Sequence, residues 1–464
     1  MTARRLQHRL ATEQADRRLP SIVAGIVRDG RLLWSGAAGD LSTSPDHAPP
    51  DHEPPDHEPP DHEPGDDTQY RIGSITKTLV AVAVLRLVDE GRIHLDDPVT
   101  RHLDDAPTGT ATVAQLLSHG AGLSAETAAP WWERAEGVAW PQLLERLNAH
   151  ALPPGRRFHY SNVGYAVLGE LLARLRGASW HEVVHRELLA PLGMHRTTTR
   201  PHPPAASGYA VHPWADIVLA EPEHDAVAMA PAGQLWSTVT DLARWAAFLG
   251  GETAGLLSNE LTEQLARPLV VDDRPGQPWT AAHGLGVQIW NRDGVRTIGH
   301  GGSMPGFLAS VEVEPGGGDG VVLATNTTSG LSATIVADLF AIVRELEPQP
   351  VTPWRPAATS TLDLVGPWYW GPAPLVLRAT ADGLELEPVP GGAGRSSRFV
   401  PGEVADTWVG TDGYYAGEVL RVVRGDDRAP RWLDLASFVF TRTPYDPSAD
   451  VPGGVDEAGW GPTS

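Results

Sequence analysis

The residues best equipped for chemistry are Ser74 and Lys77, within Arg71-Ile72-Gly73-Ser74-Ile75-Thr76-Lys77. Lys77 is the only lysine; every other member of a Lys+Arg total of 36 is an arginine. A coding preference for arginine accounts for the scarcity of lysine. It does not account for where the one lysine stands, three residues after a serine at the head of an apolar run. Arginine keeps its proton in a protein, whereas a desolvated lysine can release its own. A serine nucleophile that needs a base therefore has a use for lysine here that arginine would not serve. Alone, Ser-x-x-Lys is a modest signal that needs partners elsewhere in the chain.

Two other stretches supply them. In Pro153-Pro154-Gly155-Arg156-Arg157-Phe158-His159-Tyr160-Ser161-Asn162 a Pro/Gly turn leads to Tyr-x-Asn before a helical pattern. Tyr160 can shuttle a proton if a neighbouring cation lowers its pKa, and the Asn162 amide can hold both Lys77 and a substrate carbonyl. In isolation, a buried tyrosine and a helix-capping asparagine are the simpler reading. The second stretch is Gly299-His300-Gly301-Gly302-Ser303-Met304-Pro305-Gly306, between two strand-like runs. Bare glycines at a strand edge let an acyl group approach the backbone, where an N–H can serve as oxyanion donor. Alone, it reads equally well as a glycine-rich hairpin with a surface histidine.

The elements that must position these groups follow from pattern. Arg4 to Arg18 reads as a polar helix, and Ser21–Val27 with Arg31–Trp34 as a hairpin about Asp29-Gly30. The apolar run Leu79–Leu85 reads as a buried helix closed by Gly91, which places Ser74 at its start and Lys77 one turn on, on the same face. Amides at a helix start favour a developing oxyanion. Residues 111–250 read as mostly helical, with Gly164 and Gly169 allowing close packing in Asn162–Leu175 and a cap at Thr240-Asp241 before the helix to Leu249. Strand texture returns at Gly286–Trp290, Arg296–Gly299, Phe307–Val313 and Val321–Thr325, and Leu331–Leu346 closes with a helix. Strands at both ends with helices between imply an α/β sandwich whose sheet joins the N- and C-terminal segments around a helical insertion. After a Pro-rich linker at 347–354, residues 355–464 read as an all-β barrel or sandwich of short strands: Leu375–Leu377, Leu384–Leu386, Thr407–Val409, Glu418–Val423, Trp432–Leu435 and Phe438–Arg442.

With these motifs in place, the chain resembles the serine β-lactamase and penicillin-binding-protein superfamily, nearest its class C β-lactamase-like, esterase and D-aminopeptidase-like branch. Ser74-x-x-Lys77, Tyr160-Ser161-Asn162 and His300-Gly301-Gly302 match its three motifs in order. Framing segments agree: Gln115 to Leu123, Pro191-Leu192-Gly193-Met194 and Ala232 to Thr238. The resemblance covers about residues 5 to 346. It implies an α+β fold: an antiparallel sheet flanked by helices plus a helical subdomain, over 1–346, followed by a small lipocalin-like all-β domain. It also implies a mechanism in which Ser74 is acylated, Lys77 and Tyr160 share the base work, and the N–H groups of Ser74 and Ser303 form the oxyanion hole. Asn162, His300, Gly301, Gly302 and Ser303 line the substrate. Which of Lys77 and Tyr160 is the acylation base stays open, and no metal or organic cofactor is implied. Many relatives carry Lys-Thr-Gly at the third motif. His300 in its place lacks a fixed charge for a substrate carboxylate, which favours a small ester or D-amino-acid peptide over a β-lactam or a D-Ala-D-Ala peptide. A catalytically silent binding scaffold is the contrasting reading.

Bulk properties set the outer bounds. At 464 residues the chain is long enough for two domains, with ordinary hydrophobic (41%) and charged (20%) fractions. A net charge of -22 argues against nucleic acid or an anionic membrane as partner. There is no cysteine, hence no disulfide or thiolate metal site. No secretory signal or membrane span is evident, so a cytoplasmic protein is expected, with oligomerisation left open. The repeats of Asp-His-Glu-Pro-Pro from Asp51 lie in a proline-rich insertion, 44–67, that is expected to be disordered. Their side chains make a poor metal site, because ordering so flexible a tract costs entropy.

Overall fold

Asp29 (φ 48°) and Gly30 (φ 70°) both take the left-handed conformation that a two-residue type I′ turn requires, and they join the strands Ser21–Arg28 and Arg31–Gly39 as a hairpin. Ser21–Arg28 then pairs antiparallel with Gly320–Thr325, from Ile22↔Thr325 to Val27↔Gly320, so the two ends of the segment close one sheet. The computed structural model describes residues 1–41, 63–147, 152–351, 353–392 and 394–444. These divide into two units, Met1–Gln349 and Pro350–Ser464.

The sheet of the first unit has eight strands in the spatial order Arg31–Gly39, Ser21–Arg28, Gly320–Thr325, Phe307–Val313, Val295–Met304, Gln288–Arg292, Ala281–His283 and Val270–Val271, every neighbouring pair antiparallel. Alternation along Ser21–Arg28 divides its side chains between two cores. Val23 and Val27 face the larger one, with the helices Thr76–Asp89, Asn162–Arg176 and Val239–Leu249. Ile22, Ala24 and Ile26 face the smaller one, with Leu6 and Leu10 of the helix Thr2–Arg17 and Leu339, Phe340 and Val343 of Ile335–Leu346. The sheet is thus covered by helices on both faces, and the helical insertion lies between its second and third strands in chain order.

Thr76–Asp89 is buried along nearly its whole length, and Gly91 (φ 66°) closes it, with the Arg92 N–H returning to the Leu87 carbonyl at 2.9 Å. Three details depart from the sequence reading. The helix Val239–Leu249 is capped by Thr238, whose Oγ1 accepts from the Asp241 N–H, because Thr238 is the last extended residue before it. The glycine-rich third motif is not a loop between strands: pairing from Ile298↔Val313 to Met304↔Phe307 carries Val295–Met304 straight through it. Of the proline-rich insertion, 63–67 form a bend and turn in which Asp66 accepts from Ser35, whereas its repeats up to residue 62 lie outside the described residues.

The second unit contains a closed eight-stranded barrel running from Gly366–Trp370 to Phe438–Thr441. Gly366–Trp370 and Ser397–Pro401 join the six expected strands; Pro367 and Pro401 disguise them as turns. Trp368, Leu377, Leu386, Phe399, Leu420, Leu433 and Phe440 fill the interior. Among the described residues of the chain no helix is long and apolar enough to cross a membrane.

The two glycines of Asn162–Arg176 prove unequal. A Cβ on Gly169 would lie 2.1 Å from Pro231 Cγ, so the helix backbone packs directly on the Pro231 ring in the 3₁₀ turn Ala230–Ala232; one on Gly164 would meet nothing nearer than 3.7 Å. Gly169→Ala is therefore expected to cost about 1–3 kcal/mol by overpacking. Gly164→Ala should be neutral or stabilising by up to ~1 kcal/mol, because alanine is the better helix former. Urea unfolding midpoints of the two variants check the opposite signs.

Candidate active site

Ser74 lies in the 3₁₀ turn Gly73–Ile75, which runs directly into Thr76–Asp89, so Lys77 occupies the first helical turn. Lys77 is fully buried, and its Nζ donates to the Ala232 carbonyl at 2.6 Å and to Ser74 Oγ at 2.8 Å. Neither partner is charged. Burial therefore lowers the Lys77 pKa from its ordinary value to about 7, opposed by the more distant Glu126 and Glu133. The Gly169–Pro231 contact holds the turn that presents the Ala232 carbonyl.

Close backbone approach brings the third motif to this turn. A Cβ on Gly302 would lie 1.9 Å from the Ile72 carbonyl oxygen, and one on Gly73 (φ 52°) 2.5 Å from the Ser303 nitrogen. No other residue fits at either position. Pairing with Gln288–Arg292 ends at Gly299↔Gln288, so one edge of Val295–Met304 is free of strand partners beyond Gly299. The Gly301 N–H points to that edge and donates to Gln288 Oε1 at 3.1 Å. By strand alternation the Ser303 N–H points the same way, towards Gly73 and Ser74. The Ser74 N–H stands at the start of the helical segment, where amides lack intrahelical acceptors.

Tyr160 joins them from the loop before Asn162–Arg176. Its ring lies 5.1 Å from Lys77 Nζ and stacks on His119 at 4.2 Å. Its pKa is raised, not lowered as the sequence reading required: desolvation outweighs the hydrogen bond with Ser74 that opposes it. The Glu126 and Glu133 carboxylates push it further up.

Asn162 also departs from expectation. Ser161 rather than Asn162 caps the helix, accepting from the Gly164 N–H at 3.0 Å. Asn162 Nδ2 donates to Glu126 Oε1 at 2.7 Å, so the amide does not hold Lys77. The lysine has turned to Ala232 instead.

His300 is buried, and its pKa falls to about 3 through burial first and the proximity of Lys77 second. Its Nδ1 lies 2.5 Å from the Gly301 carbonyl oxygen. His119 and His283 complete a group of neutral imidazoles: burial holds His119 well below its usual range and His283 at about 4. His119 Nδ1 accepts from the Ser161 N–H at 3.1 Å, and His283 stacks on Phe158 at 4.4 Å. Glu126, Glu133 and His283 were not singled out from sequence, and Ala232 stood only at the start of a framing segment. Nothing in the local pattern marks the first three; they reach the site from separate loops and a strand. No group of three or more His, Asp or Glu among the described residues is arranged to hold a metal ion.

A hydroxyl beside a neutral-capable amine, a protonated phenol and two nearby backbone N–H groups are together the groups needed to add a nucleophile to a carbonyl and hold the resulting oxyanion. Known proteins are consistent with such a site. The chain is 28% identical over 304 residues (59% of this chain, 76% of the other) to "Penicillin-binding protein 4" of Amycolatopsis lactamdurans. It is 26% identical over 296 residues to "Beta-lactamase-like protein 2" of Dictyostelium discoideum, of which it spans 51%. Among solved structures, a D-stereospecific amidohydrolase from Streptomyces sp. superposes with a TM-score of 0.60 at 24% identity, covering 75% of this chain and 99% of that one. An octameric penicillin-binding protein homologue from Pyrococcus abyssi superposes with a TM-score of 0.62 at 21% identity, covering 95% and 100%. A D-amino acid amidase from Ochrobactrum anthropi SV3, complexed with D-phenylalanine, gives 0.60 at 20% identity, covering 74% and 96%. At these identities the likeness to the solved structures is one of fold. Residues 357–442 match a domain of unknown function, DUF7586. The Beta-lactamase family model matches residues 4–345, and the chain belongs to that family.

Proposed function

We propose that the protein is a serine hydrolase that opens an ester or amide through an acyl-enzyme on Ser74. The observation that carries this reading is the 2.8 Å contact between Ser74 Oγ and a Lys77 amine whose pKa burial lowers to about 7. Ser74 Oγ adds to the substrate carbonyl as its proton passes to Lys77, and the N–H groups of Ser74 and Ser303 bind the oxyanion. Tyr160, protonated at neutral pH, is suited to deliver a proton to the leaving group and to recover one from Lys77. On this reading Lys77, not Tyr160, is the acylation base. Water then attacks the acyl carbonyl, releases the acid and restores Ser74.

A small ester or an amide of a D-amino acid is the substrate class we favour. The solved relatives titled as a D-stereospecific amidohydrolase and a D-amino acid amidase support the amide. A β-lactamase or D-Ala-D-Ala carboxypeptidase is the second reading, supported by the penicillin-binding-protein relative. Against it stands His300, uncharged where a lysine would anchor the substrate carboxylate. A silent binding scaffold is disfavoured because it has no need of a buried lysine with two uncharged partners.

Intact-mass analysis after a fluorophosphonate probe should show one covalent adduct on the wild type and none on Ser74→Ala; equal labelling of both removes Ser74 as nucleophile. Lys77→Arg should lower kcat/KM by about a thousandfold or more while circular dichroism stays native, because arginine cannot take the proton. Wild-type turnover in that variant would overturn the assignment of the base. The pH dependence has a definite sign. Lys77 must be unprotonated to act, so kcat/KM should rise with pH to a plateau above about 7. Glu133→Gln removes a charge that raises the Lys77 pKa, so it should move that limb to lower pH. Nitrocefin turnover that exceeds p-nitrophenyl ester turnover would reverse the order of the two readings.

A further inference from the structure

The helix Val113–Leu117 ends in a turn that usually carries glycine. The Gly120 N–H returns to the Gln115 carbonyl at 2.8 Å and the His119 N–H to the Leu116 carbonyl at 3.3 Å, with His119 itself at φ 59°. This is a Schellman motif, and its left-handed residue is usually glycine because a Cβ is disfavoured there. The chain places its glycine one position later, at Gly120, and holds a buried histidine in the left-handed position. A backbone kept against its preference at the edge of a reactive site points to a use for the side chain.

That use is visible on either side of Tyr160. The His119 carbonyl accepts from the His159 N–H at 2.9 Å, and His119 Nδ1 accepts from the Ser161 N–H at 3.1 Å. Both chain neighbours of Tyr160 are thus fastened to one residue. Between these bonds the imidazole lies against the Tyr160 ring, with centroids 4.2 Å apart and planes at 28°. Because Nδ1 accepts from a backbone N–H, the proton of the neutral ring is on Nε2. Tyr165 and His283 flank the imidazole at 5.3 and 5.2 Å, so in a close-packed interior it cannot turn away from Tyr160 without displacing them. Further on, Ser161 Oγ donates to the Ser124 carbonyl at 2.7 Å and the Asn162 N–H to the Ala125 carbonyl at 2.8 Å, which extends the same pairing of segments to the start of the helix Asn162–Arg176.

Resting on the proton-delivery role proposed for Tyr160, we propose that His119 is a positioning residue that holds the Tyr160 phenol at Ser74 and Lys77 through the Ser161 N–H bond and the ring stack. Lys77 Nζ lies 5.1 Å from the Tyr160 ring, and the phenol hydrogen-bonds Ser74. His119 acts only through Tyr160. Its contribution therefore falls on substrates whose leaving group must be protonated as it departs. An alkoxide needs that proton, whereas p-nitrophenolate departs as a stable anion.

The test takes kcat/KM for benzyl acetate over that for p-nitrophenyl acetate on the full chain, as a ratio within each variant, so that the fraction folded cancels. Tyr160→Phe should lower this ratio about a hundredfold, within the range of general acid catalysis. His119→Phe keeps a ring against Tyr160 but offers the Ser161 N–H no acceptor, and His119→Asn tolerates the left-handed backbone but loses the stack. Each should lower the ratio about tenfold. The double variant His119→Phe/Tyr160→Phe should fall no further than Tyr160→Phe alone, as expected of two residues that act as a unit. An unchanged ratio in both single His119 variants, or about a tenfold further loss in the double variant, overturns the proposal while the role of Tyr160 stands. An unchanged ratio in Tyr160→Phe instead removes the proton-delivery role, and the proposal with it.

Discussion

An amine as enclosed as that of Lys77, 2.6 Å from one carbonyl and 2.8 Å from a hydroxyl, is tolerated in a protein interior only where it can shed its charge. No other member of the Lys+Arg set has that option, because the rest are arginines. The remainder of the site follows from this constraint. Ser74 lies beside an amine that can give up its proton near pH 7. Tyr160, which would be acidified by a full ammonium, is left to the desolvation that keeps it protonated. His300 and His283 are held neutral by the same dry surroundings.

Enclosure of this kind depends on glycines whose bare backbone lets neighbouring segments approach closely. Gly302 lets the third-motif strand reach the Ile72 carbonyl, Gly73 lets the Ser303 amide reach the nucleophile turn, and Gly169 lets a helix seat the turn whose carbonyl holds Lys77. Each contact joins segments far apart in the chain. The antiparallel sheet supplies the rigid part: the strand that carries His300 to Ser303 is locked on one side by Phe307–Val313, and its other edge is open where the chemistry is placed. Helices on both faces of that sheet bury the strand from Ser21 and bring the two ends of the first unit into a single scaffold.

The polar groups of the site also differ in how they are satisfied. Lys77 and Ser74 are mutually bonded, and Lys77 is held further by the Ala232 carbonyl. Asn162 and His300 each use one polar atom within the protein and keep the other unmet. Glu126 decides the matter for Asn162, since a carboxylate leaves the amide only one orientation.

What the sequence determined by itself was the local and the covalent: the hairpin at Asp29-Gly30, the buried helix with Gly91 at its end, most strands of both units, and the motifs around Ser74, Tyr160 and His300. Turn residues and apolar periodicity act over a few positions, so they are legible without a fold. The strand Val295–Met304 was cut short in that reading because its glycines resemble a loop until Phe307–Val313 pairs with them. Tertiary structure alone decided the electrostatics and the partners. Whether Tyr160 is acidified depends on how much water surrounds it, and which way the Asn162 amide faces depends on Glu126, 36 residues away. That Lys77 binds the carbonyl of Ala232, 155 residues on, follows from a helix packed against a proline at Gly169. Burial and hydrogen-bond choice are properties of assembled neighbours, and no short stretch of sequence contains them.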